Sequence, residues 1–151
     1  MSSSDTTPFG LWRYGNDFRL AANTIMSHHN KPAFMPYFST IGHSIELFLK
    51  AFLLAKGVPL SVLKRRDYGH NLSNLVDLAL ENKITEHVDL NSAQVAVIRA
   101  MSEEYESKRY QYIRTGIMFL PDISIIHEAA EKLSMGLKRL CYDATDWSKE
   151  K

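Results

Sequence analysis

His43, Glu46 and Lys50 stand at i, i+3 and i+7 of an otherwise apolar stretch, so a helix through them carries all three on one face. An imidazole beside a carboxylate can do acid–base work, and Glu46 four residues before Lys50 is the favourable order for an ion pair. The same triplet also suits a self-satisfying polar seam on a core helix. His70, in Gly69-His70-Asn71-Leu72, is the other imidazole of interest. Gly69 permits a sharp turn there and Leu72 begins an apolar face, so His70 either starts a helix structurally or faces the same cleft as Glu46. His70, His43 and Glu46 are therefore the catalytic candidates.

Two groups have the composition of a phosphate-binding surface. Lys64, Arg65 and Arg66 form the densest basic cluster, with Tyr68 beside them, and Arg109, Tyr110 and Arg114 interleave charge with an aromatic ring. Cations meet phosphates and rings stack on bases; the competing reading is a solvated loop, with Arg109 pinning a helix end to the core. The ligand-binding candidates are Lys50, Arg65, Arg66, Tyr68, Arg109, Tyr110 and Arg114. No His-Glu-x-x-His, cysteine pair or tight carboxylate cluster occurs, and Gly10 and Gly15 lack the lysine of a phosphate loop. Neither a metal nor a cofactor is expected.

The elements that must hold these residues are legible from periodicity. A chain of 151 residues suits one domain, and a net charge of +1 gives no global attraction to nucleic acid or membrane, so an anionic ligand needs a local patch. Residues 1–8 read as a flexible tail, 9–145 as one helical domain and 146–151 as a second tail. Phe9, Trp12, Phe18, Ala22, Ile25 and Met26 predict a first helix; Phe38, Ile41, Ile45, Phe48, Leu49, Phe52 and Leu53 predict a central one over 36–56, stopped by Gly57. Leu72, Leu75, Val76, Ala79 and Leu80 predict a third helix. A fourth follows an Asn91 or Ser92 cap and reaches Arg109 or beyond, and the last follows Asp122 through Leu140. The expectation is an all-α, up-and-down bundle of about five helices.

The run Ser44-Ile45-Glu46-Leu47-Phe48-Leu49-Lys50-Ala51-Phe52-Leu53 with Gly57, then Gly69-His70-Asn71-Leu72 and Leu75, and later Lys108-Arg109-Tyr110, resembles the HEPN domain over residues 38–112. The resemblance implies a helical bundle of four or five helices, often dimeric, from a group associated with nucleotide or RNA chemistry. Many members work beside nucleotidyltransferases in toxin–antitoxin pairs or as RNases in defence. The RNase members carry an arginine followed four to six residues later by a histidine on a late helix. Here Arg99, Arg109, Arg114 and Arg139 lack that histidine, and Arg65 with His70 falls in a loop instead.

The functional expectation is a HEPN-like binding module for a nucleotide or RNA, as a homodimer and with a nucleotidyltransferase-type protein partner. Two alternatives stand beside it: a metal-independent ribonuclease with a non-standard site, and a protein-only scaffold or antitoxin-like partner. With one cysteine, Cys141, no signal-peptide pattern at the start and no uncharged span of membrane length, the expected setting is cytoplasmic, without a membrane.

Overall fold

The computed structural model describes residues 5–28, 32–111, 116, 118 and 120–149. Thr7 Oγ1 accepts from Gly10 N at 3.0 Å and Pro8 occupies the first helical position, where its missing N–H costs nothing, so α1 starts at once and spans Pro8–Met26. Phe9 N donates to Thr145 Oγ1, fastening this start to the far end of the chain.

α2 spans Phe34–Ala55, and twelve of its 22 residues are buried, because its apolar side chains run almost all the way round. It packs against α1 (the broadest contact), then α6 (Ile123–Asp143), α4 (Leu72–Glu81) and, least, α5 (Ser92–Glu106), which makes it the axis of the bundle. Side chains such as Phe48, Leu49 and Phe52, each fully buried, stabilise it by about 1.5–3 kcal/mol apiece. By length and composition α2 alone among the described helices is long and apolar enough to cross a membrane, yet most of it is buried inside the bundle. Its end is a Schellman motif: Gly57 takes φ +94°, its N–H bonds Leu54 O, and Val58 N reaches back to Leu53 O.

The described residues form an all-α bundle with no strand, and its helices follow the predicted order. Three details differ from the periodicity reading. The loop after Gly57 contains one helical turn, α3 (Leu60–Leu63), because Pro59 sets the φ of its start and Leu63 is fully buried. α5 stops at Glu106, short of Arg109, because Lys108 takes φ +61° and closes a second Schellman motif, with its own N–H on Tyr105 O and Arg109 N on Glu104 O. Residues 147–149, read as tail, form a 3-10 turn whose Trp147 packs on Phe9 and Tyr142 at 5.4 and 4.6 Å between ring centres.

Candidate functional site

α2 delivers Glu46 into the seam between α4 and α5, where its carboxylate is only 3% exposed. Burial of a bare carboxylate is costly, and both oxygens here have a donor. Oε2 accepts from Lys50 Nζ at 2.8 Å; Oε1 accepts from Tyr105 OH at 2.7 Å and lies 2.8 Å from His70 Nδ1. Burial pushes the Glu46 carboxyl up, but the Lys50 charge and the hydrogen bonds from His70, Lys50 and Tyr105 outweigh it and hold the group below its ordinary value. Burial raises the Tyr105 phenol, and the charge of Glu46 and its hydrogen bond add to the rise.

The proton positions follow from the ionised carboxylate, which only accepts. His70 must donate through Nδ1, so its neutral form has a lone pair on Nε2; its side chain is 60% exposed. Tyr105 spends its hydrogen on Glu46, and its oxygen then accepts from His43 Nδ1, 3.2 Å away. His43 is lowered from its ordinary value because burial outweighs the nearby carboxylate, and its ring packs edge-on against Phe18 at 4.4 Å. Two imidazoles therefore hang on one buried carboxylate, one directly and one through a phenol.

Local sequence explains this convergence. Gly42 lets the Tyr105 ring lie against the α2 backbone, since a Cβ there would stand 2.6 Å from Tyr105 Cδ1. Asn71 caps α4 by accepting from Asn74 N, Asn71 Oδ1 also takes Ser102 Oγ of α5, and Ser102 Oγ accepts from Ser73 N. Lys50 Nζ makes a second bond, to Gly69 O. His70 is thereby fixed at the junction of loop and helix.

On the solvent side of His70 lies an open depression of about 460 Å³, also lined by Lys64, Arg66, Gly69, Asn71 and Glu106. The remaining candidates divide. Lys50 is committed to Glu46 and Gly69 and supports the site from behind. Arg65 is paired with Asp67 through two hydrogen bonds at 3.0 and 3.3 Å and does not line the depression. Tyr68 packs against the core, as does Tyr110, 3% exposed and 5.4 Å from the Phe38 ring. Arg109 has Nε and Nη2 buried without a hydrogen-bond partner among the described residues, with Gly116 beside it and not Glu46. Arg114 lies outside the described residues. Another depression, about 400 Å³ at the start of α1, shares no residue with this network.

Tyr105 and Glu106 are the participants that spacing did not single out. Tyr105 falls on the apolar face of α5 and so reads as core, with nothing to announce its hydroxyl. Glu106 leaves a faint signal, a carboxylate at a helix C-terminus where the dipole disfavours it. Compared with models of known families, with curated proteins and with solved structures, this chain matches none.

Proposed function

We propose that this protein is a binding module whose His70 depression takes the phosphates of a nucleotide or RNA strand. The observation that carries the reading is the pairing of cations with an anchored imidazole: Lys64 and Arg66 share one depression with His70, whose ring is set by Glu46. Lys64 and Arg66 make no ion pair among the described residues, so both charges are available to a phosphate. A volume of about 460 Å³ is in the range of small-ligand sites. The HEPN resemblance supports the same ligand class, and the lone cysteine, buried in α6, fits a reducing cytoplasm. Fluorescence anisotropy with a labelled oligouridylate tests it. Lys64→Ala and Arg66→Ala should each weaken binding several-fold and flatten the salt dependence, since each removes about one phosphate contact. Binding that is absent at micromolar protein, or indifferent to both variants, defeats the proposal.

A second reading, metal-independent RNA cleavage, is favoured by one observation: His70, held through Nδ1 by the Glu46 carboxylate, lines the cationic depression. Nε2 would take the proton of a 2′-hydroxyl while that oxygen bonds to phosphorus, the bond from phosphorus to the 5′-oxygen breaks, and solvent protonates the leaving oxygen. Products ending in 2′,3′-cyclic phosphate, lost in His70→Ala, would establish it. Intact RNA after long incubation leaves binding alone.

A further inference from the structure

Among the described residues that line the depression Glu106 is the one acidic side chain, and helix physics disfavours it there. It is the last residue of α5, whose final turn also carries Glu103 and Glu104 and no basic residue. Its carboxylate faces the negative end of the helix dipole, and no ion pair among the described residues relieves it. A residue that breaks a local rule without structural compensation is a candidate for a functional role.

The lining as a whole says which part of a nucleotide strand belongs here. Two unpaired cations, Lys64 and Arg66, suit phosphate; Glu106 would repel it and needs a hydrogen-bond donor instead. Among the described lining residues the His70 imidazole is the one ring and there is no aliphatic wall, so they offer a base little to stack on. The donor a ribonucleotide strand offers beside its phosphates is the sugar hydroxyl, and a carboxylate accepting from ribose hydroxyls is established chemistry in nucleotide sites. Resting on the phosphate reading above, we infer that Glu106 accepts a hydrogen bond from a ribose 2′-hydroxyl of the strand held by Lys64 and Arg66. The depression then reads the RNA backbone and leaves the bases outside.

The test compares a labelled oligouridylate with the oligodeoxyuridylate of the same length, which differ only in the 2′-hydroxyl, by anisotropy at one salt concentration. The ribose strand should bind about tenfold tighter, the effect of one hydrogen bond to a charged group. Oligoadenylate and oligocytidylate should bind about as well as oligouridylate. Glu106→Ala should bring the ribose-to-deoxyribose ratio close to one, mainly by strengthening the deoxy strand as repulsion is relieved, with an unchanged or higher melting temperature. Lys64→Ala should weaken both strands and keep the ratio. Equal binding of the two strands by the unaltered protein, or a preference that survives Glu106→Ala, overturns this inference and leaves the phosphate reading standing. Failure of both strands to bind overturns the two together.

Discussion

His70 Nδ1 lies 2.8 Å from Glu46 Oε1, so an imidazole that is mostly in solvent takes its orientation from a carboxylate that is almost wholly out of it. The two partners should therefore differ sharply in what their removal costs. Glu46→Gln leaves the Lys50 ammonium, 13% exposed, without its counter-charge and should cost about 3 kcal/mol of stability. His70→Ala deletes a surface ring and should cost less than about 1 kcal/mol, while altering ligand binding far more. Urea denaturation of both variants checks this, and equal losses would refute the division of labour.

Acid should destabilise the protein in two stages. Glu46 and His43 both sit below their ordinary values of 4.5 and 6.5 in the folded chain, so in each case the unfolded chain binds protons first as pH falls. The stability from His43 is present above about pH 6.5 and lost below it; that from Glu46 is present above about pH 4.5 and lost as pH drops further. Because the His43 side chain is 36% exposed, its stage is the shallower. Melting temperatures measured across this range should show both stages, and His43→Gln should remove only the upper one.

Gly42→Ala reverses the usual sign of a helical glycine replacement. Alanine in mid-helix ordinarily gains up to about 1 kcal/mol, but here the new Cβ meets Tyr105 Cδ1 at 2.6 Å and Cε1 at 2.9 Å. The ring must leave its place on Glu46, and overpacking of this kind costs about 1–3 kcal/mol. A urea midpoint above that of the unaltered protein would contradict the tight fit.

The two Schellman motifs make opposite predictions. Lys108 holds φ +61°, a region costly for a residue with a Cβ, so Lys108→Gly should stabilise the protein by about 0.5–1 kcal/mol. Gly57 holds φ +94°, and Gly57→Ala should destabilise it by about 1 kcal/mol although nothing lies within 4 Å of the added carbon. Paired denaturation curves decide both.

Helices and their order were legible because Phe38, Ile41, Ile45, Phe48 and their like recur at a period no strand shares, and because Asn71, Asn91 and Asp122 are cap residues in cap positions. Glu46 with Lys50 was legible as an i,i+4 pair. What the pattern does not carry is contact between elements. Tyr105 stands 59 residues from Glu46 and reads as a core ring, because whether its hydroxyl meets a carboxylate depends on how α5 leans on Gly42. Periodicity carries α5 past its true end because Lys108 is an unusual residue for the left-handed position that glycine normally marks. Arg65 reads as the equal of Arg66, and only the geometry of the loop gives it to Asp67.

Lys50 bonds Glu46 with one hydrogen and the Gly69 carbonyl with another, so the end of the basic loop hangs from the helix that forms the axis of the bundle. Occupancy of the depression and survival of the fold are then linked: a compound that steadies the loop adds RT ln(1 + [L]/Kd) to the stability of the whole bundle. A thermal-shift screen of nucleotides and short RNAs therefore reports on this site without any label, and the shift should shrink in Lys64→Ala and Arg66→Ala, which raise Kd.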